Sequence, residues 1–97
     1  MEWQFEGEIF YWRGPAPFYF VPVAEEPSED LREVSGELSY GWGVIPVCAT
    51  IGETTWTTSL FPKDGGYLLP VKAMVRRAED LDDGDAVTAV LRAEGPA

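Results

Sequence analysis

Hydrophobic and polar residues alternate at the start of the chain. Trp3 and Phe5 are separated by polar residues, which is the period-two pattern of a strand with one buried face. Gly7 interrupts this alternation, as a bulge or bend would. We therefore predict one long, bent strand over residues 2–13, followed after a loop by a short apolar strand over residues 18–23.

A helical pattern replaces the alternation in the segment EEPSEDLREVSGEL. Leu31, Val34 and Leu38 recur at the spacing of one narrow apolar stripe along a helix. Pro27 suits the first turn, and the early acidic residues suit the positive end of the helix dipole. A helix near residues 27–37 is therefore predicted.

Strand patterns return in the second half of the chain, separated by glycine-containing turns. Gly52-Glu53 lies between two β-rich runs, which is typical of a tight type II′ hairpin. A second turn is predicted from Pro62 to Gly66, and Pro70 is predicted to end the next strand because proline cannot donate to a sheet ladder. The predicted strands of this half are 44–51, 54–61, 67–71 and 86–94, with a short helix near 71–79 that has Ala73, Val75 and Ala78 available to face inward.

Five to seven strands and two short helices within 97 residues predict a mainly β fold. A small sheet hides its edges well by closing, or nearly closing, on itself. We therefore predict a small, partly open or split β-barrel. No repeat or linker divides the sequence, so residues 1–97 are predicted to form a single domain with a frayed tail at 95–97.

The charge of the chain restricts its partners. Seventeen acidic residues outweigh seven basic ones and give a net charge of −10, which disfavours binding to nucleic acid or to anionic lipid. No apolar run reaches the roughly 18 residues of a membrane span, and the first residues lack the features of a secretory signal. The single cysteine, Cys48, excludes an internal disulfide, so we expect a cytoplasmic protein.

The central part of the chain is similar to a known family. The residues that carry this similarity are Thr58-Ser59-Leu60-Phe61-Pro62, Tyr67, Leu69-Pro70, Lys72, Val75-Arg76, Gly84-Asp85 and Val87. With looser flanks, about residues 3 to 93, the chain resembles the domain-of-unknown-function family numbered 1905. The resemblance implies a double-split β-barrel, the fold class of AbrB/MazE-like proteins, and it implies no activity or catalytic residue.

Four of the seven basic residues lie close together in the sequence: Lys63, Lys72, Arg76 and Arg77. With the hydroxyls of Thr58 and Ser59 they could surround an anion. Lys72 and Arg76 are the better candidates because they lie four residues apart on one helix face. The simpler interpretation, which the sequence favours, is that these bases pair with acidic residues and that Thr58 and Ser59 only form a strand.

The tryptophans and the cysteine are further candidates. Trp56 could line a ligand cavity, although core packing is the simpler prediction for Trp3 and Trp56. Trp42 lies between two glycines in a loop and is predicted to contact a ligand or partner. Cys48 is predicted to be buried and unreactive, because the chain has no histidine to activate it.

Three functions remain open from the sequence. The preferred one is a non-catalytic binding module for a small molecule or a protein partner, present as a monomer or a homodimer and without cofactor or metal. A second is a small enzyme that acts by pocket shape and hydrogen bonds, in which Glu6 and Glu8 on one strand face could exchange protons. The third, disfavoured by the charge, is an AbrB-like dimer that binds DNA.

Overall fold

The computed structural model describes residues 2–14, 18–38 and 44–93, without the side chains of 34–38. It contains seven strands and two helices, and it confirms the predicted mainly β fold. The strands are β1 (Glu2–Glu8), β2 (Phe10–Trp12), β3 (Phe18–Pro22), β4 (Ile45–Ile51), β5 (Thr54–Lys63), β6 (Gly66–Pro70) and β7 (Ala86–Arg92). The helices are α1 (Glu25–Leu38) and α2 (Ala73–Glu79).

All seven strands belong to one antiparallel sheet, in the order β1-β7-β4-β5-β6-β3-β2. The outermost strands, β1 and β2, are consecutive in the chain and are separated by Ile9 alone. The sheet must therefore curl until its two edges meet, and it forms a half-barrel. This confirms the predicted partly open barrel, while the double-split arrangement implied by the family stays a prediction.

The first strand changes its partner at Ile9 and not at Gly7, which corrects the predicted bend. Ile9 is fully buried, its N–H donates to the carbonyl oxygen of Asp85 at 2.9 Å, and its carbonyl oxygen accepts from the N–H of Gly84 at 2.7 Å. Gly7 stays within β1 and lies against β3: a Cβ atom there would come within 2.6 Å of Val21 Cγ1. The glycine therefore permits a close approach of two strands.

The inward side of the curled sheet forms the hydrophobic core, into which both helices pack. Leu31 of α1 and Val75 of α2 are fully buried. Ala73 and Ala78, which were predicted to face inward, are exposed instead, because the seven-residue α2 buries only Val75. The strands contribute the residues Phe5, Val21, Ile45, Val47, Ala49, Ile51, Trp56, Leu60, Tyr67, Leu69, Val87, Ala89 and Leu91.

The two predicted hairpins are present, but the second turn is shorter than predicted. Gly52 has a positive φ of 60°, as expected for the first position of a type II′ turn. The turn between β5 and β6 consists of Asp64 and Gly65, which both have positive φ (50° and 81°), as in a type I′ turn. Pro62 consequently lies within β5. The strand β6 ends at Pro70, as predicted.

Candidate functional site

Helix α2 lies along the first half of β5. At its start, Lys72 Nζ donates a hydrogen bond to the carbonyl oxygen of Thr57 at 2.8 Å. At its end, Thr54 Oγ1 donates to Glu79 Oε2 at 2.6 Å. These two contacts, one at each end of a short helix, fix the direction in which the remaining side chains of α2 project.

Arg76 projects from α2 onto the aromatic ring of Tyr19 in β3. Its guanidinium carbon lies 3.7 Å from the centre of that ring, and its Nε donates to the carbonyl oxygen of Val71 at 3.4 Å. The backbone N–H of Val71 in turn donates to the carbonyl oxygen of Tyr19 at 2.9 Å. No carboxylate of the described residues lies within ion-pair distance of Arg76. The guanidinium is thus held in place, and no carboxylate of the described residues neutralises its charge.

Tyr11 of β2 extends this arrangement. Its ring centre lies 4.9 Å from that of Tyr19, its exposed fraction is 39%, and its backbone N–H donates to Asp83 Oδ1 at 2.8 Å. Within the described ranges, neither tyrosine hydroxyl has a hydrogen-bond partner. We call these three side chains, Arg76, Tyr19 and Tyr11, the arginine–tyrosine stack. It combines the N–H groups of a guanidinium with two phenol hydroxyls.

The structure divides the predicted group of bases and hydroxyls. Thr58 lies on the inward side of β5 and Ser59 on the outward side, because successive side chains of a strand point to opposite faces. Lys63 lies over the ring of Trp12, 5.0 Å from its centre, on the outward side of the sheet. Lys72 is the N-cap residue of α2, and Arg76 and Arg77 lie within this helix. Thr58 and Ser59 therefore point away from each other, and their part in a common site stays a prediction.

The tryptophans have different environments. Trp56 is 5% exposed and belongs to the core, as predicted, and its Nε1 has no partner among the residues that the structure describes. Trp3 is partly buried against the core, and its Nε1 donates to Asp30 Oδ2 at 3.3 Å. Trp42, the predicted ligand contact, lies outside the described residues. Among the described residues, no tryptophan ring stacks on a side chain of the arginine–tyrosine stack.

Cys48 is partly exposed, which corrects the prediction that it is buried. The strand β4 buries every second residue, from Ile45 to Ile51, and Cys48 lies on the other side with Pro46 and Thr50. The apolar appearance of the run VIPVCATI concealed this alternation. The predicted low reactivity of the thiol stays a prediction.

Sequence analysis missed Tyr11 and Tyr19. Both lie in aromatic-rich segments, FYW and FYF, whose alternation places the two tyrosines on one side of a hairpin and the flanking rings on the other. That signal was available and indicated a paired set. Their arrangement with Arg76 could not be predicted from the sequence, because it joins residues that are far apart along the chain.

A depression of about 500 Å³ lies along β1 and β7 and is lined by Glu6, Gly7, Glu8, Ala86, Val87 and Thr88. Two others, of about 290 and 300 Å³, lie beside Trp3 and beside the turn at Asp64-Gly65. Across residues 2–14, 18–38 and 44–93, no three carboxylate or thiol side chains are grouped closely enough to hold a metal ion. No helix in these ranges is long and apolar enough to cross a membrane.

The fold and the site define a small antiparallel β half-barrel with an arginine that packs on one tyrosine of an aromatic pair. The family described as a domain of unknown function (DUF1905) matches residues 5–91, which is nearly the whole chain. The chain therefore belongs to this family, as the resemblance in its central segment predicted. No curated protein matches the chain.

Proposed function

We propose that this domain is a non-catalytic binding module, and that its arginine–tyrosine stack binds a small ligand with a carboxylate or a similar planar anion. The observation that supports this proposal is the state of Arg76. Its guanidinium lies on Tyr19 and is hydrogen bonded through Nε, yet no described carboxylate neutralises it. A planar fork of N–H donors that is already immobilised loses little entropy when it binds a carboxylate with two parallel hydrogen bonds.

The missing ion pair is informative because acidic residues are so abundant. The chain has 17 acidic residues and 7 basic ones, so a surface arginine has many possible partners. Two other bases do lie close to carboxylates: Lys63 is 3.9 Å from Asp64, and Arg92 is 3.4 Å from Glu2. Arg76 instead packs on an aromatic ring, which leaves its charge available to a ligand.

The surroundings of the stack favour a particular size and charge of ligand. Lys72 lies one helical turn from Arg76 and adds a second positive charge, although its Nζ already donates to Thr57. The exposed ring of Tyr11 lies against Tyr19, the ring on which the guanidinium packs, and offers an apolar surface next to it. The net charge of −10 disfavours polyanions such as nucleic acid. We therefore propose a ligand with one or two carboxylates and a compact apolar or aromatic body.

The chemistry of the stack suits binding better than catalysis. Guanidinium, ammonium and phenol groups donate hydrogen bonds, and they hold an anion without supplying a strong base or nucleophile at neutral pH. Asp83, which lies beside Tyr11, accepts a hydrogen bond from a backbone N–H. The acid–base pair considered for an enzyme, Glu6 and Glu8, lies on the exposed side of β1. These positions support a binding module over the alternative of a small enzyme.

The compartment is part of the same proposal. Cys48 is a free and partly exposed thiol, and such a group stays reduced most readily in the cytoplasm. We therefore place the binding module there.

A titration followed by NMR tests the proposed ligand class. Acetate, succinate, benzoate and phosphate are added in turn to ¹⁵N-labelled protein at constant ionic strength. We expect saturable shifts of the Arg76 Nε–Hε signal and of the Tyr19 amide, strongest with the carboxylates. The change Arg76→Lys keeps the charge but removes the planar fork, so the dissociation constant should rise about tenfold or more.

Arg77→Lys is the matched control, because Arg77 is adjacent on α2, fully charged and exposed. It should change the dissociation constant by less than about twofold. If both variants weaken binding equally, the site recognises only local charge. If no carboxylate gives a saturable shift at millimolar concentrations, the proposed ligand class is wrong.

A further inference from the structure

We propose that the outward side of the sheet has a second binding surface, which docks a basic segment of a partner polypeptide that also carries apolar side chains. Five outward-facing rings form this surface, which we call the outer aromatic surface: Phe10, Trp12, Phe18, Phe20 and Phe61. It is separate from the arginine–tyrosine stack, because the two sets of side chains point to opposite faces of β2 and β3.

The rings of this surface form a continuous group. Phe20 is at the centre: its ring lies 5.9 Å from that of Phe10, 5.5 Å from that of Phe18 and 6.5 Å from that of Phe61. Trp12 lies beside Phe18 in the register of β2 and β3. Three of these side chains are substantially exposed, with Trp12 at 40%, Phe18 at 38% and Phe61 at 45%. A contiguous group of exposed rings is typical of an interaction surface, whereas single exposed rings are common.

One end of the outer aromatic surface already holds a cation. Lys63 Nζ lies 5.0 Å from the centre of the Trp12 ring, which is within the range of a cation–π interaction. The same ammonium group is 3.9 Å from Asp64, which is highly exposed. The rings are thus accessible to a positively charged side chain, and Lys63 occupies a position that a lysine or arginine of a partner could take.

Carboxylates adjoin the other end of this surface. Glu6 and Glu8 line the depression of about 500 Å³ along β1 and β7, on the outward side of β1, and Phe10 follows Glu8 by two residues at the start of β2. Neither carboxylate has a hydrogen bond or an ion pair within the part of the chain that the structure describes. Glu6 to Trp12 covers the end of β1, Ile9 and β2, a length of at most roughly 20 Å. An extended segment with alternating basic and apolar residues would match this length.

Charge distinguishes this occupant from a second copy of the chain. Each copy has a net charge of −10, so a dimer through this surface would bring two acidic surfaces together. A basic segment gains attraction from the same charges and places its apolar side chains on the rings. Charge complementarity therefore favours a basic partner over self-association.

Synthetic peptides provide the test. The probe is a fluorescein-labelled eight-residue peptide in which lysine alternates with phenylalanine or leucine, and its binding is followed by fluorescence anisotropy. One control peptide has glutamate in place of lysine, and another has serine in place of the apolar residues. We expect saturable binding of the probe, binding about tenfold weaker for the lysine–serine peptide, and none for the glutamate peptide.

Variants of the full chain locate the binding. Two variants should each weaken binding of the probe about tenfold: Phe61→Ser, and the double change Glu6→Gln with Glu8→Gln. Met74→Ser and Glu53→Gln are the matched controls, since they alter an exposed apolar residue on α2 and an exposed carboxylate in the β4–β5 turn. Each control should change affinity by less than about twofold.

A variant that is expected to bind more strongly is also needed, because weaker binding in the other variants could result from a loss of folding. Lys63→Glu removes the cation on Trp12 and adds a carboxylate, so it should strengthen binding of the probe several-fold. Unchanged or weaker binding in a folded Lys63→Glu variant would overturn the proposal. Equal effects of the test and control variants would also overturn it. So would light scattering that shows a dimer of the unmodified protein and a monomer of the Phe61→Ser variant.

Discussion

Two regions of the same sheet differ in what they present on the outward side. In β1, β4, β7 and the first half of β5, most outward residues are polar or small, such as Glu6, Thr57 and Thr88. In β2, β3 and the end of β5, the outward residues are mainly aromatic, such as Phe20 and Phe61. The inward sides of both regions contribute core residues, such as Leu91 and Val21, although Tyr11 on the inward side of β2 is exposed.

This difference distinguishes the residues that stabilise the fold from those that we propose to bind partners. The inward side of either region is explained by the need to bury apolar area. The outward rings of the second region are not required for this purpose, because the core is complete without them. The arginine–tyrosine stack lies at the end of the same region, so both proposed binding surfaces involve β2 and β3. The first region then acts as the scaffold that holds this hairpin in place.

The interiors of the two regions should be equally sensitive to truncation. Leu91 in β7 and Leu69 in β6 are both fully buried. Leu91→Ala and Leu69→Ala should each reduce the free energy of unfolding by about 2–5 kcal/mol, because each removes buried methyl groups and leaves a cavity. Urea denaturation followed by tryptophan fluorescence measures this. A loss below about 1 kcal/mol at Leu69 alone would indicate that the second region is not packed as described.

The junction between the two regions should tolerate no larger side chain. A Cβ atom at Gly7 would lie 2.6 Å from Val21 Cγ1 and 3.1 Å from the backbone oxygen of Pro22. Gly7→Val should therefore destabilise the protein by about 1–3 kcal/mol, since the backbone oxygen cannot rotate away. Glu6→Val, one residue earlier and exposed, is the control and should cost less than about 0.5 kcal/mol. Equal thermal midpoints for the two variants would contradict the close approach of β1 and β3.

Substitutions on the outward sides of the two regions should differ more in their effect on hydrophobic retention than in their effect on stability. Phe61→Ser removes a ring that is 45% exposed and should reduce the free energy of unfolding by only about 1 kcal/mol. It should nevertheless shorten retention on a hydrophobic-interaction column clearly, while Thr88→Ser on the outward side of β7 should leave retention unchanged. Unchanged retention of Phe61→Ser would show that the outer aromatic surface is not accessible.

The arginine–tyrosine stack should make the smallest contribution to stability. Arg76→Lys should lower the free energy of unfolding by about 0.5–1 kcal/mol, because the stacked guanidinium is lost while the charge remains. Arg77→Lys should have no measurable effect, since Arg77 is exposed and makes no side-chain hydrogen bond or ion pair with the described residues. Thermal unfolding of the two variants in parallel makes the comparison, and a larger loss in Arg77→Lys would contradict the position of Arg76.

Local sequence patterns predicted most of the elements but only part of the site. The helix α1, the two hairpins and the end of β6 at Pro70 follow from residues close in sequence. The opposite faces of Thr58 and Ser59, and the partial exposure of Cys48, also follow from the two-residue period of a strand, and the sequence analysis applied that period too loosely. The change of partner at Ile9 could not be predicted in this way, because it depends on which distant strands flank β1 and β2.

The contact between Arg76 and Tyr19 could not be predicted from the sequence for a similar reason. It requires β3 to pair with β6, and α2 to follow β6 directly at Val71, so that the start of the helix lies beside Tyr19. The sequence did predict that Lys72 and Arg76 share one side of a helix. It gave no sign that a tyrosine, and not a carboxylate, would lie beside the arginine.

The availability of Arg76 for an anion is tested most directly by NMR of the arginine side chains in the unliganded protein. Arg76 should show side-chain proton signals shifted upfield by the Tyr19 ring, while Arg77 shows those of a free arginine. Tyr19→Leu should remove the shift, and succinate should then perturb neither residue. A spectrum in which Arg76 and Arg77 coincide, or in which neutralising a nearby acidic residue moves the Arg76 signals, would contradict the account.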